Sequence, residues 1–166
     1  TPDVPEILIV NPSIIEISAG EYFDVNTILS DQFGNILDSN MLTVTSSIGL
    51  SYWPNEGWQG VKTGTEFIYL EYGEINQTVE VHISPTYFTE INTQIGGNGS
   101  LEIGYSTIMN LIAFDRYYNS EILEISELNY IEWSQGLALD GSRISAVSGG
   151  DQIIRGNFIN QNGELI

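Results

Sequence analysis

Asp31-Gln32-Phe33-Gly34-Asn35 closes the alternating run Phe23 to Leu29, and Asp115-Arg116-Tyr117-Tyr118-Asn119 closes a second such run 84 positions later. Each stretch is an acid, a polar residue, an aromatic, a turn-permissive residue and an asparagine. In a chain of 166 residues that spacing marks a duplication, which overrides the single-domain expectation from length alone. The boundary falls at Ser84-Pro85-Thr86, giving units 1–84 and 85–166. In both corners the aromatic, Phe33 or Tyr117, is expected to pack, while the acid and the asparagine satisfy the turn backbone.

Working outward, apolar residues recur with the period of half-buried strands. Ile7-Leu8-Ile9-Val10 is broken by Asn11-Pro12-Ser13 and resumes at Ile14 to Ile17. Thr1 to Glu6, with Pro2 and Pro5, reads as an extended lead-in. Phe23, Val25, Thr27 and Leu29 alternate with polar neighbours, Leu42 and Val44 mark the next strand, and Ser51 to Gly60 reads as a loop. Phe67 to Tyr72 and Gln77 to Ile83 flank a Gly73-Glu74 turn. The second unit follows the same order: Ile91 aligns with Ile7, Gly104 with Gly20, and Met109, Leu111 and Ala113 with Val25, Thr27 and Leu29. Ser134-Gln135-Gly136-Leu137 repeats Ser47-Ile48-Gly49-Leu50, and Gly149 answers to Gly64. No helix of convincing period appears, although Glu121 to Leu128 has room for one turn.

Asn162-Gly163 is a strong two-residue hairpin signal, yet only Glu164, Leu165 and Ile166 follow it. The second unit is therefore expected to lack most of its final strand, either because the chain is an excised piece or because another strand completes it. Under the second option Ile7, Leu8, Ile9 and Val10 are candidates for the donated strand, and Leu165 and Ile166 mark the accepting end.

Composition excludes several classes. Twenty-two acids face four bases, Lys62, Arg116, Arg143 and Arg155, for a net charge of −18. Such a surface repels phosphate backbones and anionic membranes, so neither nucleic acid nor membrane insertion is expected as a partner. No apolar run approaches the roughly 18 residues of a bilayer span. There is no cysteine, and His82 is the single histidine, placed within a strand with no nucleophile elbow nearby. No catalytic residue and no His/Cys metal site are expected. A structural calcium ion is the cation such acids would suit, with Asp31, Asn35 and Asp38, or the acids near Ser84 to Glu90, as ligand candidates. Tyr52, Trp53 and Trp58 are the sharpest local anomaly: aromatics in a loop either pack the sandwich or a neighbouring subunit, or stack on a glycan. Asn76-Gln77-Thr78 and Asn98-Gly99-Ser100 match the N-glycosylation pattern at close to chance frequency.

Pro12-Ser13, Ile17, Gly20, the alternating strand, Ser30 to Asn35, Thr45-Ser46-Ser47 and the Gly64-to-Val81 hairpin together resemble the bacterial immunoglobulin-like repeats of intimin/invasin-type adhesins and other prokaryotic surface proteins. The resemblance spans both units, with Tyr118 departing from the usual glycine. It implies two tandem immunoglobulin-like β-sandwiches, with Trp133 at the buried central-strand position. It also implies a non-enzymatic structural or adhesive module at the cell surface. Such a module is either a stalk of tandem repeats or a filament or surface-layer subunit joined by strand donation. Neighbouring repeats, identical subunits or a host-surface ligand would be its partners. The alternative is a carbohydrate-binding or accessory module of a secreted enzyme.

Overall fold

In the computed structural model, which describes residues 4–96 and 99–166, the period-two segments become strands, and the helical content is two single 3-10 turns, Ser39–Met41 and Ile125–Glu127. Asn98, in the second glycosylation motif, lies outside the described residues. The protein is all-β and divides into two compact units, Thr1–Thr86 and Tyr87–Ile166.

Unit 1 carries ten strands: β1 (Ile7–Asn11), β2 (Ile14–Ser18), β3 (Tyr22–Phe23), β4 (Asn26–Ser30), β5 (Ile36–Leu37), β6 (Thr43–Ser46), β7 (Leu50–Trp53), β8 (Gly57–Gly60), β9 (Gly64–Tyr72) and β10 (Ile75–Ser84). One layer contains β1-β4-β5 and β3-β8-β7, joined where β3 runs on into β4; the other is β2-β10-β9-β6. Strand β10 shows the sandwich logic most clearly. Val79, Val81 and Ile83 point inward and are buried, while Glu80 and His82 alternate outward. It pairs antiparallel with β9 along its whole length and parallel with β2. Strands β1 and β2 behave as one strand broken at Pro12, its first half in one layer and its second half in the other. The segment read as a loop, Ser51 to Gly60, is the β7–β8 hairpin instead. Its turn residues Asn55 and Gly57 take positive φ, and its glycine-rich second arm lacks the alternation that announces a strand.

Unit 2 carries seven strands: β11 (Phe88–Ile95), β12 (Ser106–Asp115), β13 (Ser120–Leu123), β14 (Tyr130–Trp133), β15 (Leu137–Asp140), β16 (Arg143–Ala146) and β17 (Ile154–Asn157). One layer is β11-β12-β16-β15 with β13 also on β12, and the other holds the β14–β17 pair. Its core is Phe88, Met109, Leu111, Ala113, Leu123 and Ile144, so the alternating residues of β12 occupy the positions expected of them. Strand β11 is shifted by one. Ile91 pairs with Ala113 as Leu8 pairs with Leu29, because Ile91 and Ala113 are 22 positions apart against 21 in unit 1, and a bulge between Phe88 and Glu90 shifts the register once more. Trp133, expected to be buried, is 43 % exposed at the end of β14, although Ile131 on the same strand and Ile154, the cross-strand partner of Trp133, pack against the core.

The corners owe their shape to carboxylates, not aromatics. Asp31, 1 % exposed, accepts from the Phe33 and Asn35 amides at 2.9 Å and from Asn35 Nδ2 at 2.8 Å. Asp115 accepts from the Tyr117 amide at 2.8 Å, and from the Asn119 amide and Nδ2 at 2.9 Å. Phe33 stands 77 % exposed, so its expected packing role is not realised. The fourth residue takes positive φ in both corners, Gly34 at 81° and Tyr118 at 62°. A third corner of the same design was hidden in the sequence. Asn160 Oδ1 accepts from the amides of Asn162 and Glu164, and Gly163 holds φ 81°. Asn162-Gly163 is thus the middle of a five-residue turn rather than a two-residue hairpin loop, and Asn160 Nδ2 ties it to the Phe88 carbonyl at 2.8 Å.

Removing the Asp115 carboxylate leaves two amides and a side-chain donor unpaired in a buried corner. Asp115→Ala should destabilise unit 2 by about 3 kcal/mol. Asp115→Asn, which keeps the acceptor that Asn160 uses naturally, should cost clearly less. Urea unfolding followed by tyrosine and tryptophan fluorescence measures both, and equal losses would assign the corner to packing instead.

Candidate functional site

Two regions merit attention as sites: the aromatic hairpin of unit 1 and the cleft beside β17 in unit 2. On the hairpin, Tyr52 pairs with Trp58 across the strands, ring centroids 5.2 Å apart. The two rings line an open cleft of about 400 Å³ with Val25, Leu42, Val44 and Ile68. Trp53, the next residue on β7, points to the opposite face. The three aromatics therefore do not form one platform. The polar residues lining the cleft are Thr27 and Ser39, a sparse set for a sugar, whose hydroxyls need several directed partners.

His82 shows a chain of contacts reminiscent of nucleophilic catalysis. Its Nδ1 lies 3.3 Å from Thr65 Oγ1 and its Nε2 3.2 Å from Glu80. All three side chains stand on the outward face of the β9–β10 ladder, where His82 is directly opposite Thr65. None of them lines either cleft described here, so the arrangement has no pocket in which to hold a substrate. Among the described residues no three His, Cys, Asp or Glu side chains gather as a metal site. Asp31 is occupied by its corner, and Asp38 caps the Asn40 amide at 2.9 Å. The strand-exchange candidates are divided. Ile7 to Val10 lie within β1, paired to β4 of the same unit with Leu8 buried. Leu165 and Ile166 close the Asn160 turn, Ile166 exchanging both backbone hydrogen bonds with Phe158 at 2.9 and 3.0 Å.

The second region becomes clear when the two units are matched by pairing. Ser47 Oγ accepts from the Phe67 amide at 2.9 Å and Ser134 Oγ from the Ile153 amide at 2.9 Å. Val61 donates to Gly49, as Val147 donates to Gly136. These equivalences place Gly150 opposite Gly64, both with positive φ, rather than Gly149 as the sequence spacing suggested. They also match Gln152 with Glu66, Ile154 with Ile68, and Phe158 with Tyr72. Ile166, paired to Phe158, then stands where Ile75 stands opposite Tyr72. Everything that β10 adds beyond Ile75 has no counterpart among the described residues. Strand β17 is paired by β14 on one side only. Along its other side runs a cleft of about 750 Å³ of mixed character, lined by Ile95, Leu101, Ile144 and Ile154 and by the polar Thr93, Thr107, Asp151 and Gln152, among others.

One difference inside the matched frame concerns shape. Strand β8 ends in Gly60, which pairs with Leu50, and β16 ends in Ala146, which pairs with Leu137. A Cβ on Gly60 would lie 2.6 Å from Ile17 Cδ1 and 3.0 Å from Ile83 Cδ1, so the glycine makes room for the tips of β2 and β10. Ala146 carries that methyl, and it faces the cleft. Outside the cleft the electrostatics are those of solvent: Arg155 and Glu132 pair at 3.7 Å on the exposed face, and the Tyr130 hydroxyl is raised above its ordinary pKa chiefly by its hydrogen bond to Glu132.

No family model matches the chain. Three solved structures similar to it come from the surface layer protein SbsC. For domains 4–9 the identity is 14%, the match covers 92% of this chain and 29% of that one, and the TM-score is 0.44. For domains 5–6 the values are 16%, 93%, 85% and 0.36, and for domains 4 and 5 they are 17%, 94%, 94% and 0.39. The chain thus spans under a third of the first of these. Among the described residues no helix is long and apolar enough to cross a membrane.

The Gly60 and Ala146 positions make opposite predictions. Gly60→Ala should destabilise unit 1 by about 1–3 kcal/mol through overpacking against Ile17 and Ile83. Ala146→Gly should cost unit 2 no more than about 1 kcal/mol, the backbone-entropy effect alone. Chemical denaturation of the two variants decides, and a neutral Gly60→Ala would mean that the layers tolerate the extra methyl.

Proposed function

We propose that the chain is a non-enzymatic structural module of an extracellular surface assembly, a stalk or surface layer whose partners are neighbouring repeats or identical subunits. One observation carries the reading: two tandem copies of one sandwich, matched through the Asp31 and Asp115 corners and through the Ser47 and Ser134 hydrogen bonds. Repeated modules of this kind serve assembly, whereas catalysis needs a pocket with convergent polar groups. The acidic surface suits an exterior setting, where salt screens repulsion between subunits.

The alternative, a glycan-binding module, draws on Tyr52 and Trp58 at their cleft. It is the weaker reading because Thr27 and Ser39 are a thin polar lining and Trp53 faces away. Glycan-array binding abolished by Trp58→Ala with the fold intact would reverse that ranking.

Self-association is the decisive test. Sedimentation velocity should show the chain monomeric at low ionic strength, where the screening length is about 30 Å at 0.01 M salt. Larger species should grow in as salt rises to about 1 M, where screening shortens to about 3 Å. A monomer across the whole concentration and salt range would count against the assembly reading.

A further inference from the structure

We propose that the outward face of β1, β4 and β5 in unit 1 is a self-association surface, which packs against the same face of a second copy of the chain. This face deepens the assembly reading above, on which it rests, by naming the surface that two copies share.

Four isoleucines make the face. Leu8 on β1 and Leu29 on β4 are paired and buried, which turns their neighbours Ile7, Ile9 and Ile28 outward. Ile9 pairs with Ile28, and Ser30 lies between Ile7 on β1 and Ile36 on β5. The four stand between 45 and 76 % exposed. Together they display roughly 400 Å² of apolar surface, within the range of the largest patches on monomers, which are often functional. The other outward positions of these strands, Asn11, Asn26 and Ser30, carry no charge. The opposite layer of the same unit differs, with Glu16, Glu71, Glu80 and His82 on its outward side.

The sister unit shows that the fold does not call for these isoleucines. Matched through the Asp31 and Asp115 corners, Ser30 corresponds to Phe114 and Ile28 to Ile112. Opposite Phe114 on β11 stands Glu90 where unit 1 has Ile7, and opposite Ile112 stands Asn92 where unit 1 has Ile9. On β13, Ser120 takes the place of Ile36. Asn92 Nδ2 donates to Glu90 at 2.9 Å, a contact between exposed side chains. An equivalent framework thus stands with polar residues at three of the four positions, and the isoleucines of unit 1 answer to something outside it.

Charge points to the occupant. A chain of net charge −18 repels its own copy wherever acids stand, and this face offers a contact from which charge is missing. It aims few hydrogen-bonding groups outward, so a glycan or a charged peptide would gain little there. A sheet of β-branched side chains is complementary to another such sheet, as in a sandwich interior with layers about 10 Å apart. The same patch on two copies gives a two-fold pair. A standard interface draws about 800 Å² from each partner, of which the isoleucines supply about half, so the pair is weak and forms once salt has lowered the repulsion.

The test is sedimentation velocity on the 166-residue chain at about 1 M salt, where screening shortens to about 3 Å. It is run beside a variant with Ile7→Glu, Ile9→Asn and Ile36→Ser, the residues that unit 2 uses. The parent should dimerise as concentration rises, and the variant should weaken the dimer more than about tenfold. Ile48→Glu places the same extra charge at a 91 % exposed isoleucine elsewhere on unit 1 and should leave the dimer unchanged. A second readout needs no variant. In 13C-methyl spectra a soluble paramagnetic agent should bleach Ile7, Ile9, Ile28 and Ile36 in dilute solution, and dimerisation should protect them. Association of the triple variant equal to that of the parent would overturn the face and leave the assembly reading standing. A parent that stays monomeric would overturn both. Protection of these methyls already in the dilute monomer would overturn the face alone, since the chain itself would then cover it.

Discussion

The structure depends on one strand position, the place between β2 and β9 that β10 fills. A unit of about eighty residues buries only roughly 60% of the surface its unfolded chain exposes, so each inward side chain carries an unusual share of the core. Val79, Val81 and Ile83 are all buried from a single strand that is paired on both edges. Other features of unit 1 serve that placement. The break at Pro12 moves β2 into the second layer, where it becomes the parallel partner of β10. Gly60 gives up its side chain so that the Ile83 methyl can seat. In unit 2, Met109, Leu111 and Ala113 are buried from the β12 layer, while Leu137, Ile154 and Leu101 are only partly covered.

Much of this was legible in the residues because β-structure writes its faces with period two. The alternation in Phe23 to Leu29, in Gln77 to Ile83 and in Met109 to Ala113 located the core strands, and the 84-residue echo located the duplication. What escaped were features that depend on partners rather than on local pattern. The β7–β8 hairpin is built from Gly57-Trp58-Gln59-Gly60, whose identity as a strand comes from pairing with β3 and β7. The one-residue shift of β11 arises from an extra residue between Ile91 and Ala113, which the repeat spacing does not locate. The cleft itself could not be read at all, because its walls come from β11, β12, β15, β16 and β17, brought together only by the fold.

The five-residue corner explains why the duplication stayed visible where the rest of the sequence has drifted. A side-chain oxygen on the first residue must accept from the amides of the third and fifth, and the fourth residue must take positive φ. Asp31 and Asp115 meet the first demand with a carboxylate, and Asn160 meets it with an amide oxygen. The shared demand is thus for an acceptor of that length rather than for charge. The second demand is met twice by glycine and once by Tyr118, at a strain that the Asp115 hydrogen bonds offset. The aromatic at the third position has no comparable role, which is why Phe33 can stand in solvent.

An exposed edge is ordinarily a hazard, since unpaired N–H and C=O groups accept any strand that arrives. Natural sheets blunt such edges with charge, and here the charge is spread over the whole surface: unit 2 alone has ten acids against three arginines. Repulsion of that kind is indiscriminate and reaches only about a Debye length, so it slows the approach of like chains without choosing among strands already in contact.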